Sequence, residues 1–167
     1  MHEASQGIID SITAWMENFV EVPHPTFGNQ PPCPYARQFR LKNKIKIVEA
    51  KGAIWNTARK VCNTWDDNWE AIVVASTFLA VPPGILNDRI AELNRKIKRD
   101  DLVCLEDHPE DEELIDGVKM NHGKLVLVVI QRLERLNRFT KSLRKGNYYD
   151  KWSKENLDDV VNWRFED

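Results

Sequence analysis

The sequence predicts an α/β fold: a single-layer mixed sheet of about four strands covered by helices. Three features carry that expectation. Apolar runs of strand length, rich in β-branched residues, recur at 44–50, 71–78, 102–106 and 124–131. Segments of helical periodicity separate the first three, which implies crossover connections and a partly parallel sheet. A proline-rich stretch sets a first amphipathic helix apart from all of them. An α+β arrangement is the alternative. The expected order is helix, loop, β-α-β-α-β-β, then two helices, within one domain spanning 1–167; the order of strands in the sheet is not readable.

The first helix is predicted over 6–20, where Ile8, Ile9, Ile12, Trp15, Met16, Phe19 and Val20 form one stripe behind Ser5 as N-cap. Residues 21–43 are expected to be a loop, because Pro23, Pro25, Pro31, Pro32 and Pro34 disfavour both helix and central strand. In the strand at 44–50, Ile45, Ile47 and Val48 suit a pleated surface. Ile54, Ala58, Val61, Cys62 and Trp65 then repeat at helical spacing. The run at 71–78 is continuously apolar, as a strand buried on both faces requires. Pro82-Pro83-Gly84 opens a helix carrying Leu86, Ile90, Leu93 and Ile97, and a third strand follows at 102–106. An acidic excursion fills 107–123 before the most apolar strand, 124–131. Leu133, Leu136, Thr140 and Leu143 mark another helix. The tail, 147–167, places Leu157, Val160 and Val161 on one face behind Ser153.

Composition narrows the class. With 24 Lys+Arg against 26 Asp+Glu, the net charge of −2 argues against a generally basic nucleic-acid binder and against an acidic disordered tail. No apolar run approaches the roughly 18–20 residues of a membrane-spanning helix. The first 20 residues carry acids and lack a basic region, so they do not read as a secretory leader. Three cysteines at irregular positions read as reduced thiols of a soluble cytoplasmic protein.

Chemistry is expected beyond the carboxyl ends of the strands, at Glu49, Ser76-Thr77 and Asp107-His108. A carboxylate beside a histidine suits acid–base work. The same pair supplies metal ligands if His122, Glu112 or Glu113 completes a set, and a solvated acidic turn is the plain reading. Cys33 begins like the Cys-Pro-Tyr-Cys of glutaredoxins, but Ala36 takes the fourth place and the motif follows a loop instead of a strand. Arg37 and Arg40 nearby favour a thiolate there. Cys62 and Cys104 fall at core positions. Familiar zinc, nucleotide-loop and nucleophile-elbow motifs are absent. Arg132, Arg135, Arg138 and 141–145 form a local basic stretch beside Tyr148, Tyr149 and Trp152, and a solvated helix face is the preferred reading of it.

Trp15 with Glu17, Cys33-Pro34-Tyr35-Ala36, the strand ending Asp107-His108-Pro109, and Asn121-His122 before the last strand together resemble a bacterial domain family of unknown function. That family has a Trp-x-Glu helix, a Cys-Pro-(Phe/Tyr)-Ala motif and a later strand ending in His-Pro. The resemblance spans roughly 8–135, with His122 where the family has Arg and an extra Pro-His-Pro-Thr-Phe-Gly stretch after the first helix. It implies the α/β fold and a site, though no reaction, and it links Cys33 with His108 in one pocket.

The leading expectation is an enzyme or small-ligand binder. Its catalytic residues are Cys33 (nucleophile), His108 (base) and Asp107 (orienting carboxylate), with Glu17, Tyr35, Asn121 and Arg132 contacting the small-molecule substrate. One alternative is a non-catalytic interaction module that uses the acidic loop and the aromatic C-terminal tail. A second is a metal-binding protein with Asp107, His108 and His122 as ligands. No cofactor is named by the sequence, no membrane or nucleic-acid partner is expected, and homo-oligomerisation stays open.

Overall fold

A computed structural model describes residues 2–166. Its centre is a mixed sheet built from β1 (His2–Glu3), β2 (Ile45–Glu49), β3 (Ala71–Ser76), β4 (Leu102–Asp107) and β7 (Val126–Arg132), in the order β1-β2-β3-β7-β4. β2 and β3 are parallel, joined through α3 (Ile54–Asn63). β7 is antiparallel to both its neighbours, with Ser76 opposite Val126 and Asp107 opposite Leu127. β2, β3 and β4 therefore point the same way, and their carboxyl ends share one rim of the sheet.

All six residues of β3 are buried, so both of its faces must be covered. Ile72 and Val74 pack toward α3 and α4 (Pro83–Ile97), together with Leu86, Ile90 and Cys104. Val73 and Ala75 pack on the opposite face against Ile8, Ile12 and Met16 of α1 (Gln6–Trp15) and its continuation. The fold is α/β, with helices on both faces of the sheet. β4 is an edge strand whose free side is closed by a side chain. The Asn94 Nδ2 donates to the Cys104 carbonyl at 2.9 Å, and the Cys104 N–H donates to Asn94 Oδ1 at 2.8 Å. The amide imitates a neighbouring strand, which removes a template for aggregation.

Three regions depart from the sequence reading. The helix expected over 6–20 changes pitch: α1 gives way to a π turn at Met16–Val20, closed by Glu21 N–H to Met16 O at 2.9 Å. The segment 21–43 is not all loop. Pro25 opens a 3-10 turn, and α2 (Ala36–Leu41) begins two residues beyond the last proline, where nothing bars a helix. Gly28 follows that turn with φ +65°, and a Cβ there would meet Asn147 Oδ1 at 2.1 Å, so only glycine lets the C-terminal segment lie this close. The acidic excursion holds a hairpin, β5 (Leu114–Ile115) and β6 (Val118–Lys119), turned at Asp116-Gly117 with positive φ at both residues.

Helix α5 (Leu133–Leu143) follows β7. The tail contains α6 (Lys154–Val160), capped by Ser153, and a 3-10 turn at Asn162–Phe165. Phe27, Ile115 and Tyr148, with Tyr149 and Trp152 against them, form a third apolar cluster that ties proline segment, hairpin and tail together.

Candidate functional site

At the carboxyl rim each strand end is tied down locally. Glu49 accepts from the Ser5 N–H at 3.2 Å and from Lys51 at 2.7 Å, and the Ser76 hydroxyl accepts from the Phe78 N–H at 3.1 Å. Asp107 faces the α1 side: Oδ1 accepts from Asn121 Nδ2 at 2.8 Å and Oδ2 from the His122 N–H at 2.9 Å. Burial pushes its carboxyl above the usual range, and the two donors partly offset this. Asn121 is buried. Its Nδ2 also donates to the carbonyls of His108 at 3.1 Å and Asp111 at 2.8 Å, while Oδ1 accepts from the Glu113 N–H at 2.7 Å. The amide expected to touch substrate is therefore consumed in holding the excursion together.

The two histidines are equally committed. His108 is 2% exposed, and its Nδ1 accepts the Glu110 N–H at 3.0 Å. The ring proton is therefore on Nε2, which donates to the Val81 carbonyl at 2.7 Å. His122 Nδ1 accepts the Leu125 N–H at 3.2 Å, which leaves Nε2–H to donate to Ser11 Oγ at 3.2 Å. Its ring meets Trp15 edge-on at 5.4 Å, and burial lowers its pKa. The Ser11–His122 pair escaped the sequence reading, since 111 residues separate its members. It has the outline of a nucleophile and base, but the proton sits on the nitrogen facing the hydroxyl, so the ring cannot take one from it.

Cys33 lies on the α1 face, half-buried, its N–H bonded to Val20 O at 3.1 Å. Burial pushes the thiol up more than the N–H groups of Tyr35 and Ala36 pull it down, which opposes the expected thiolate. Tyr35 stacks on Phe139 with centroids 3.8 Å apart. Glu17 is 3.7 Å from Arg40, whose guanidinium grips the buried Glu21 through two bonds of 2.7 and 2.8 Å. Among the described residues no hydrogen bond joins the Cys33 loop to the Asp107-His108 turn.

Arg132 is at the wrong rim for the site expected of it. It pairs with Leu102 whereas Asp107 pairs with Leu127, which puts the two about 17 Å apart along the strands. There it bonds Asp67 and the Asp100 carbonyl and lies over Trp65 at 5.7 Å. Its basic neighbours are paired too, Arg135 with Glu70 at 3.0 Å and Arg138 with Glu134 at 2.6 Å. The expected metal set does not assemble, because His108 turns to Val81 while His122 turns to Ser11. Among the described residues no three His, Cys, Asp or Glu side chains are grouped to hold a metal ion. Cavities of about 170 and 280 Å³ lie elsewhere, the first beside Lys46, Val61 and Trp69, the second beside Leu133, Arg138 and Phe165.

What the rim offers to solvent is apolar and acidic. Phe78, Leu79, Ile85 and Leu114 are 64%, 42%, 46% and 46% exposed, four of the six large apolar side chains so exposed among the described residues. Glu110, Asp111 and Glu112 are exposed in the turn and strand-entry beside them. His108 to Val81 and Asn87 to Asp111, at 3.4 Å, tie the apolar loop and α4 to that acidic run. Burial, reinforced by neighbouring carboxylates, raises Glu106 and Glu113 to about 7.

No protein-family model matches the chain, and no match is found among curated proteins or solved structures. The resemblance carried by the Cys-Pro-Tyr-Ala and His-Pro motifs thus brings no residue roles with it. Among the described residues no helix is long and apolar enough to cross a membrane.

Proposed function

We propose that the chain is a non-catalytic binding module whose docking face is the carboxyl rim, and that its partner presents a basic, amphipathic segment. One observation carries this reading: Phe78, Leu79 and Ile85 are exposed large apolar side chains, and the bonds from His108 to the Val81 carbonyl and from Asn87 to Asp111 bring their loop and helix against the exposed acids Glu110, Asp111 and Glu112. An apolar patch rimmed by charge of one sign favours a partner of opposite charge. Glu112 is 4.0 Å from Lys119, and Glu110 and Asp111 have no ion-pair partner among the described residues.

The aromatic tail has no part in this face. Tyr148, Tyr149 and Trp152 turn inward onto Phe27, with Tyr148 donating to the Pro32 carbonyl. The enzyme reading draws little support from a raised Cys33 thiol and an imidazole engaged on both nitrogens.

The test uses synthetic helical peptides that share one apolar face and differ in a lysine-rich or glutamate-rich polar face. Titration followed by amide chemical shifts should show the lysine-rich peptide perturbing 78–85 and 110–114, and the glutamate-rich peptide leaving them unmoved. Phe78→Asp with Ile85→Asp should weaken binding at least about tenfold, the scale of losing two buried apolar anchors. Equal binding of both peptides, or shifts confined to another face, would sink the proposal.

A further inference from the structure

Two thiols meet inside the core on the α3/α4 face of the sheet. Cys62 is in the last turn of α3 and Cys104 in the middle of β4, with their sulfurs 3.9 Å apart. They are 8% and 0% exposed. A disulfide needs a sulfur separation of about 2.05 Å, so closure requires a convergence of about 2 Å.

The two sides of the pair differ in how far they can give. The Cys104 backbone is clamped at both its N–H and its carbonyl by Asn94. Cys62 is one residue from the end of its helix, where the Thr64 N–H is shared between Lys60 O at 3.1 Å and Val61 O at 3.3 Å. Helix ends fray more readily than paired strands, so the α3 side supplies the movement.

We propose that Cys62 and Cys104 are a latent disulfide site, closed by hydrogen peroxide and cross-linking α3 to β4. Cys62, the more exposed of the two residues, attacks the peroxide O–O bond, becomes the sulfenic acid and releases one water. The Cys104 sulfur then displaces the hydroxyl group, forming the S–S bond and releasing a second water. Two thiols lose two electrons and two protons, and one peroxide is reduced to two waters. Burial opposes thiolate formation at Cys104, which slows the second step. Cys33 has no thiol partner among the described residues.

The test uses the full chain and its Cys33→Ser variant, which leaves the core pair untouched. Each is held in hydrogen peroxide, unfolded in an alkylating reagent and digested without reduction. The parent's alkylatable thiols should fall from the three of the reduced protein, with peptides containing Cys62 and Cys104 recovered as one linked species. In Cys33→Ser both remaining thiols should be lost, the linked species should persist, and hydrogen exchange in the last turn of α3 should slow. If Cys62 and Cys104 both remain alkylatable after prolonged oxidation, or if the linkage joins Cys33 instead, the proposal fails. Recovery of either core thiol only as a sulfinic or sulfonic acid overturns it as well.

Discussion

The proline-rich segment and the acidic excursion solve one problem in opposite ways. Each is a long connection that contributes no strand to the main sheet. Residues 21–43 are closed by opposite charges: Glu21 and Arg40, one at each end of the segment, meet in a two-bond ion pair. Residues 107–123 are gathered on one neutral amide, Asn121, which bonds the Asp107 carboxylate, the carbonyls of His108 and Asp111 and the Glu113 N–H, with no cation among its partners. A charge pair excludes its own disruption, because separating it leaves a buried ion. The amide brings no charge to offset the burial of Glu106, Asp107 and Glu113, whose carboxyls are all pushed up.

The largest effect is expected from removing the amide. Asn121→Ala strips donors from Asp107 and two carbonyls and an acceptor from the Glu113 N–H, which should cost about 4 kcal/mol. Urea unfolding measures the loss, and limited proteolysis should find new cleavage within 107–123. A loss below about 1 kcal/mol would mean the excursion is held by something else.

Arg40→Ala tests the other closure. It leaves Glu21 buried and unpaired, which should cost about 3 kcal/mol, and adding Glu21→Gln should return part of that. A double variant no more stable than the single would show that the pair contributes only packing.

The smallest effect separates the two regions by pH. Glu106 and Glu113 titrate at about 7 in the fold against an ordinary 4.5. Between those values the folded chain keeps protons that the unfolded chain releases. Their contribution is therefore complete below pH 4.5 and is lost as pH rises through 7. His122 runs the other way, since its lowered pKa removes stability as pH falls below 6.5. Denaturation midpoints should decline from mildly acidic to mildly alkaline buffer. Glu106→Gln with Glu113→Gln should flatten that decline, whereas Arg40→Ala combined with Glu21→Gln, which removes both charges of the other closure, should keep the parent's slope. An unchanged slope in the double Gln variant would place the titrating groups elsewhere.

The parts of the fold legible in the sequence are those whose periodicity is long. The strands of the main sheet from β2 onward, with α3, α4 and α5, fall within a few residues of expectation because their burial pattern repeats several times. β1 has two residues and no pattern to repeat. α2 was hidden by the prolines that precede it. Asp116-Gly117 between Leu114-Ile115 and Val118 is a hairpin signal in plain form, obscured by the acidic run around it.

The candidate site was less legible. Asp107, His108, Asn121 and His122 are unusual enough to draw notice, but their roles depend on partners such as the Val81 carbonyl, 27 residues from His108. Nothing local encodes that pairing. Arg132 falls outside the site expected of it because its place depends on the direction and position of β7, which the order of elements along the chain does not reveal.

That position of β7 has a consequence for how the chain is made. The strand completed last occupies the middle of the sheet, between β3 and β4. Until 126–132 has been made, β3 and β4 each keep open the edge that β7 will fill. The β2–β3 ladder can form before that, but both ladders of β7, to β3 and to β4, must arrive in one late step. During that wait, Ile72 to Ala75 and Leu102 to Cys104 are the stretches most in need of a chaperone's cover.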